Sequence, residues 1–115
     1  MNRTSRDSEY LLHICHAIDR MQRYLAGKSE SDFMADELIQ DGVLRNLEVI
    51  GEAVTKLSAE LKSIHSDIPR HEISGMRNRL IHGYMEVNME IVWNTVQKVV
   101  PGLLIRVREI RDSLH

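Results

Sequence analysis

Apolar residues recur along most of the chain at intervals of three and four positions, the spacing that places them on one face of an α-helix. A first helix is predicted from about Arg6 to Ala26, with Gly27 as a natural stop. Its apolar residues are Leu11, Leu12, Ile14, Cys15, Ile18, Met21 and Leu25. No segment alternates apolar and polar residues for long enough to predict a β-strand.

The clearest pattern belongs to a long second helix. Its apolar residues, spaced four, three, four and three, are Val43, Leu47, Ile50, Val54 and Leu57. So narrow a seam is typical of helices that pack nearly antiparallel in a bundle. The charged residues between them are expected to face solvent or a partner. Ser31 or Asp32 is expected to cap the helix that follows the first one.

Glycine, proline and asparagine divide the rest of the chain into shorter helices. After a helical or irregular link, Pro69 opens a helix that Gly83 is expected to close. Asn88 is expected to cap the last helix, and Pro101 to kink or interrupt it. One side of that last helix is expected to carry Ile91, Val92, Val96 and Val99. The pattern predicts an all-α, up-and-down bundle of four or five helices, a single domain over residues 1–115.

Composition narrows the functional classes. The formal net charge of −2 argues against a general nucleic-acid coat, but it permits an enzyme that holds a few phosphates with a local arginine cluster. No apolar run approaches the ~20 residues of a membrane span, and the N-terminus lacks the apolar core of a signal peptide. The single cysteine, Cys15, is expected to be a core hydrophobe. We therefore expect a cytoplasmic protein without a membrane partner.

The residues suited to chemistry lie between Gly75 and Tyr84, around a predicted helix end. Cleavage of RNA without a metal requires a 2′-hydroxyl to lose a proton and the leaving 5′-oxygen to gain one. His82 can serve either step, because imidazole titrates near neutrality. The guanidinium of Arg77 can stabilise the charge on the phosphorane, and Asn78 can orient the phosphate or the histidine.

Ordinary structural roles explain the same residues. A histidine before a helix-ending glycine often interacts with the helix dipole, and arginines on a helix surface are common. Five residues of an ideal helix separate Arg77 from His82 by about 140° and ~7.5 Å, so they do not share a face. The two side chains can still meet if the helix ends at Gly83 and frees the imidazole, because arginine has a long reach. Spacing alone therefore does not establish catalysis.

The segment Gly75-Met76-Arg77-Asn78-Arg79-Leu80-Ile81-His82-Gly83-Tyr84 resembles the signature of the HEPN superfamily. More narrowly, Arg77, His82 and Tyr84 match the Arg-x4-His-x-Tyr motif of HepT-like toxins. Residues 43–53 and 87–93 resemble two further blocks of that family. The resemblance covers roughly residues 8 to 112.

The resemblance implies a homodimer whose two motifs face each other across a cleft, acting on RNA, such as tRNA or mRNA, as an endoribonuclease or tRNA-processing toxin. It implies Arg77 and His82 as catalytic residues, with Asn78 and Arg79 in support. It also implies an antitoxin partner of the minimal nucleotidyltransferase (MNT) type, which in some pairs attaches AMP to the tyrosine, here Tyr84. The alternative is a non-catalytic HEPN protein that binds RNA or substrate for a nucleotidyltransferase.

Several residues outside the motif suggest further contacts. Arg70 and His71 are candidate RNA contacts, because they share the motif's helix. Gly51 fits the expected dimer, because an interior glycine costs a helix about 1 kcal/mol and usually marks the close approach of another backbone. His13 and His16 share a helix face but lack further ligands, so neither a metal nor a cofactor is expected.

Other polar and aromatic residues have simpler interpretations. Asp36, Glu37 and Asp41 suit the start of a helix, where acids complement the dipole. Trp93 is expected to anchor the core or an interface. The C-terminal arginines are interpreted as a solvated face or an outer RNA contact; they are Arg106, Arg108 and Arg111.

Overall fold

A computed structural model describes the backbone of residues 3–82 and 87–114, and their side chains except those of 3–5 and 80–82. Its helices are α1 (Arg3–Leu25), α2 (Glu30–Ala35), α3 (Glu37–Lys56), α4 (Ala59–Ile64), α5 (Arg70–His82), α6 (Met89–Lys98) and α7 (Val100–Ser113). Five of these have ten residues or more, while α2 and α4 have six each. The described residues contain no strand, so the all-α prediction is confirmed.

The centre of the fold is the pair formed by α1 and α3, with α5 packed on α3 and α7 packed on α1. Contacts between α1 and α3 run in opposite chain order, from Asp7 with Ser58 to Arg20 with Asn46. The two helices are therefore antiparallel, as the narrow apolar seam predicted. All five residues of that seam are buried: Val43, Leu47, Ile50, Val54 and Leu57. Helix α5 contacts α3 at Gly51, which is not one of the seam residues.

Side-chain hydrogen bonds cap the first turns of several helices. Asn88 caps α6, as predicted, by accepting from the backbone N–H groups of Glu90 and Ile91. Asp36 caps α3 through the N–H of Ile39. The predicted cap at Ser31 or Asp32 is wrong for α2. Ser29 is its cap, and Asp32 is the other half of a capping box that closes on Ser29.

The last two helices meet at the predicted interruption. Pro101 lies in the first turn of α7, where its missing N–H costs nothing, and α6 ends at Lys98. The prediction of a single apolar side is only half right. Val92 and Val96 are buried, whereas Ile91 is 46% exposed and Val99 is 40% exposed. The pattern identified the apolar positions but not the neighbours that would cover them.

One link that joins distant segments has no sequence signal. The carboxylate of Asp7, only 5% exposed, accepts from the backbone N–H of Ser58 at 2.8 Å and from its hydroxyl at 2.6 Å. Ser58 in turn caps α4 through the N–H of Leu61. The start of α1 is thereby fixed to the turn that leaves α3. No helix among the described residues has the length and apolar character needed to cross a membrane.

Candidate active site

The candidate site is built on α5, which lies antiparallel against α3. Arg77 of α5 is half-buried, and the stem of its side chain crosses α3 at Gly51. A Cβ placed on Gly51 would lie 2.6 Å from Cβ of Arg77 and 3.0 Å from its Cδ. Carbon atoms in van der Waals contact are ~3.5–4.0 Å apart, so no larger residue fits without moving α5.

This contact corrects the interpretation of Gly51. The sequence associated this interior glycine with the backbone of a second chain. In the structure, the group that approaches it is the side chain of Arg77 in the same chain. Gly51 is therefore explained within one chain and gives no support to a dimer. It does position the motif arginine.

The electrostatic surroundings of Arg77 are mixed. Glu52, on the next position of α3, has its pKa lowered chiefly by the hydrogen bond and charge of Lys56, whose Nζ lies 3.2 Å away. The positive charges of Arg77 and Arg45 lower the pKa of Glu52 further. Glu52 therefore remains ionised near neutral pH, and its charge partly offsets that of the guanidinium.

The two supporting residues lie on other sides of α5. Asn78 and Arg79 are both exposed. Two residues of helix rotate Arg79 by about 200° from Arg77. Arg79 instead lines a groove between α5 and the α6–α7 pair, together with His71 and Glu72. The structure thus does not bring Arg79 together with Arg77, and its supporting role stays a prediction.

The remaining motif residues fall at the edge of what the structure describes. The helical backbone of α5 continues through His82, but the side chain of His82 lies outside the described residues. Tyr84 and the expected helix-closing Gly83 lie outside them as well. The helix keeps the Cα atoms of Arg77 and His82 about 140° apart around its axis. The catalytic role of His82 and the modification of Tyr84 stay predictions.

The two candidate RNA contacts at the start of α5 line a separate cavity. Arg70, half-buried, and His71, exposed, face a space of about 250 Å³ between α3, α4 and α5. Lys62 of α4 completes its basic side. Sequence reasoning missed Lys62, because the lysine belongs to the short α4 and only the fold brings α4 beside α5.

The described residues, 3–82 and 87–114, hold no cluster suited to a metal ion. Within them no three His, Cys, Asp or Glu side chains come together as a metal site. His13 and His16 are both exposed on α1. Burial raises the pKa of the half-buried Cys15 thiol, with smaller opposing effects from Arg108 and Arg111. A thiol with a raised pKa is a poor nucleophile and a poor ligand, which agrees with a packing role.

The C-terminal arginines are not a uniform solvated face. Arg106 Nε donates to Asp67 Oδ2 at 2.6 Å, and its Nη2 donates to His65 Nδ1 at 2.9 Å. This hydrogen bond from Arg106 lowers the pKa of Asp67. Arg106 therefore ties α7 to the link that leads into α5. Trp93, for its part, packs on Phe33 with ring centroids 5.6 Å apart, as expected of a core anchor.

Comparison with known proteins places this arrangement in a family. Residues 14–110 match the family model described as Ribonuclease HepT-like. The chain is 42% identical over 101 residues to a "Putative RNase" of Caldanaerobacter subterraneus subsp. tengcongensis, covering 88% of this chain and 90% of that protein. It is 34% identical over 111 residues to the "Probable ribonuclease HepT" of Thermococcus cleftensis, covering 96% and 99%.

A third relative is longer. The "Gamma-glutamylcyclotransferase and putative RNase" of Methanocaldococcus jannaschii is 35% identical over 105 residues, which are 91% of this chain but only 47% of that protein. No solved structure matches the chain. The family model spans most of the seven helices, including α3 and the motif-bearing α5. The chain therefore belongs to the HepT-like ribonuclease family.

Proposed function

We propose that this protein is a metal-independent endoribonuclease, the toxin of a toxin–antitoxin pair. The main support for the proposal is the packing of Arg77. The stem of its side chain lies directly against α3, in the space left by the missing side chain of Gly51. An ordinary surface arginine does not require its stem to be fixed by packing, whereas a group that stabilises a transition state must be held in place before the reaction. Membership of the HepT-like family and the names of the relatives support the same activity.

The proposed reaction needs one base, one acid and one stabilising charge. An imidazole of His82 takes the proton of the 2′-hydroxyl, whose oxygen then attacks the adjacent phosphorus. Arg77 stabilises the phosphorane through its guanidinium fork. The bond to the 5′-oxygen breaks as that oxygen receives a proton, which leaves a 2′,3′-cyclic phosphate and a 5′-hydroxyl. The imidazolium of His82, formed in the first step, can return its proton to the leaving 5′-oxygen directly or through water, so the protons balance without a cofactor.

The second part of the proposal is a homodimer in which each site combines Arg77 of one chain with His82 of the other. It is supported by the ~140° that separates these positions on a continuous helix. A groove of about 360 Å³ between α5 and the α6–α7 pair offers an apolar surface for the second copy. It is lined in part by the half-buried Ile73 and Met76 and by the exposed Ile91 and Val99.

The test of catalysis uses Arg77→Ala and His82→Ala beside matched exchanges on α1, Arg23→Ala and His16→Ala, both at exposed positions. Each motif variant should lose most cleavage while unfolding at the wild-type temperature, and each α1 variant should retain it. Products should end in a cyclic phosphate, and EDTA should leave the rate unchanged. Loss of activity in EDTA would contradict the mechanism. Tight RNA binding without cleavage would instead favour the non-catalytic alternative.

The shared site can be tested by mixing the two inactive variants. In a random mixture half of the dimers contain one chain of each kind, and each of these has one intact site of two, so about a quarter of the wild-type activity should return. The mixture Arg77→Ala with Arg77→Ala/His82→Ala is the control and should stay inactive. A mixture of the two single variants that also stays inactive would rule out the shared site, although not the chemistry.

The third part of the proposal concerns control by an MNT-type nucleotidyltransferase antitoxin. The hydroxyl of Tyr84 attacks the α-phosphorus of ATP, a Tyr–O–P bond forms, and pyrophosphate leaves. The added phosphodiester carries a negative charge two residues from His82, where it competes with the RNA phosphate for Arg77. Incubation with the cognate antitoxin and ATP should therefore add an adenylate mass to Tyr84 as cleavage falls.

A further inference from the structure

Besides the site around Arg77, a cavity beside α5 has basic side chains that suit an anion. It lies between α3, α4 and α5 and has a volume of about 250 Å³. The six residues described around it are all neutral or basic: Val54, Thr55, Lys62, Arg70, His71 and Ser74. It also lies at the N-terminal end of the 13-residue α5, where the helix dipole favours negative charge. An anion placed there would meet positive charge from a lysine, an arginine and a helix end.

The lysine is held in place by the fold. Its ammonium Nζ donates to the backbone carbonyl of Thr55, another residue of the cavity lining, at 3.0 Å, and two of its N–H bonds remain for a ligand. Lys62 and Arg70 are both half-buried, so part of each side chain is already out of water. Two partly desolvated cations would gain from an anion between them.

The cavity and Arg77 lie along the same side of α5. Residues 70, 74 and 77 of α5 lie within about 60° of one another around the helix axis, so they form one stripe. On the antiparallel α3, Gly51 contacts Arg77, and Thr55, one turn further on, shares the cavity with Ser74. An RNA strand that follows the boundary between α3 and α5 would pass from Arg77 to the cavity without crossing either helix.

We propose that this cavity is a subsite for a backbone phosphate of the RNA, two to four nucleotides from the cleaved bond, held by Lys62, Arg70 and Ser74. The inference rests on the proposed ribonuclease function and extends it to the substrate. Seven residues of helix span ~10.5 Å between Arg70 and Arg77. If the RNA is stacked as one strand of duplex DNA is, with ~3.4 Å per nucleotide along the axis, that span corresponds to about three nucleotides. The subsite contacts phosphate alone and should therefore favour RNA length rather than sequence.

The test pairs a change in the protein with a change in the RNA. A methylphosphonate replaces one charged phosphate by a neutral one, and it is moved one to five nucleotides along either side of the cleavage point. At one of these RNA positions, the methylphosphonate should lower the kcat/KM of the wild-type protein by about tenfold, the effect of losing one hydrogen-bonded charge. In Lys62→Gln/Arg70→Gln, the charged RNA should show that loss already, and the methylphosphonate should add nothing.

The matched control is Arg23→Gln/Lys98→Gln, which removes the same two charges from exposed positions on α1 and α6. It should keep the wild-type sensitivity to the methylphosphonate. If the subsite double variant is poorly folded, Arg70→Gln alone serves, because it leaves the bond from Lys62 to Thr55 in place. Salt dependence gives a second readout: the slope of log affinity against log salt should fall by ~0.7 for the lost contact.

The outcomes separate the subsite from the proposed function. A wild type that cleaves RNA, with a Lys62→Gln/Arg70→Gln variant that keeps full sensitivity at every position, would overturn the subsite and leave the ribonuclease intact. The subsite is likewise overturned if the control pair changes the sensitivity as much as the subsite pair, since general charge would then explain both. A wild type that neither cleaves nor binds RNA would overturn the proposed function and the subsite together.

Discussion

The substitution Gly51→Ala tests whether the seat of Arg77 on α3 matters for activity. The added Cβ would lie 2.6 Å from Cβ of Arg77, where ~3.5–4.0 Å is the contact distance. Because the nearest atoms belong to the stem of the arginine, a simple swing of its far end does not relieve the clash. The two helices must separate or rotate by about 1 Å at this point.

The expected magnitudes follow from that displacement. Overpacking of this kind costs about 1–3 kcal/mol, and alanine in place of an interior helical glycine returns about 1 kcal/mol. The free energy of unfolding should therefore fall by about 0–2 kcal/mol, or up to about 8 °C in Tm for a chain of this size. Misplacement of a catalytic group by about 1 Å can cost about a hundredfold in rate, so cleavage should suffer far more than stability.

The assay compares thermal unfolding and RNA cleavage in the wild type, Gly51→Ala and Gly102→Ala. Gly102 in α7 is the matched control, because a Cβ there meets nothing within 4 Å. Gly75 also has space for a Cβ, but it lines the groove proposed for the second copy, which makes it a less neutral control. The reasoning fails if Gly51→Ala cleaves RNA at the wild-type rate and is as stable as Gly102→Ala.

Three further predictions concern other parts of the molecule. Tyr84→Phe should escape adenylylation while keeping RNA cleavage; a variant silenced as fully as wild type without forming a complex would end the proposed control through this tyrosine. Asp7→Ala should lower the free energy of unfolding by about 1.5–3 kcal/mol in a denaturant titration, because two hydrogen bonds to a buried carboxylate are lost. Since Arg106 lowers the pKa of Asp67, the folded state gains stability from this pair above the ordinary aspartate pKa of about 3.9 and loses it as the pH falls through the folded value. Arg106→Gln should therefore destabilise the protein slightly at pH 7, and a stability deficit that stayed constant down to pH 2 would contradict this explanation.

The helices could be predicted from the sequence because each depends on a local pattern. The apolar seam of α3 and the cap at Asn88 can each be recognised from the residues of one helix, and both appear in the structure as predicted. The start of α2 was misplaced for a related reason. Ser29, Ser31 and Asp32 all have side chains that can cap, and only the reciprocal bonds between Ser29 and Asp32 select the first one. The sequence therefore identified residues able to cap α2, but the hydrogen-bond geometry decides which of them does so.

The long-range links had no such signal. Asp7 is separated from Ser58 by 51 residues, and Arg106 from Asp67 by 39. Neither pair has a periodicity or a motif, and residues that stay solvated on a helix surface would look the same in the sequence. Lys62 was missed for the same reason, because its proposed role depends on α4 and the start of α5 lining the same cavity. Contacts between elements are a property of the packed fold, which single-helix patterns do not contain.

The pair of Gly51 and Arg77 shows how a local motif and a distant residue act as one unit. Sequence reasoning found both, but it assigned the arginine to chemistry and the glycine to a second chain. The structure joins them, since the glycine leaves the space that the arginine stem occupies. The same seam then continues from Gly51 to Thr55 on α3 and from Arg77 to Arg70 on α5. Packing of α5 on α3 therefore sets the position of Arg77, the arginine proposed to be catalytic, and borders the path proposed for the RNA. A change along this seam should then alter cleavage and RNA binding together.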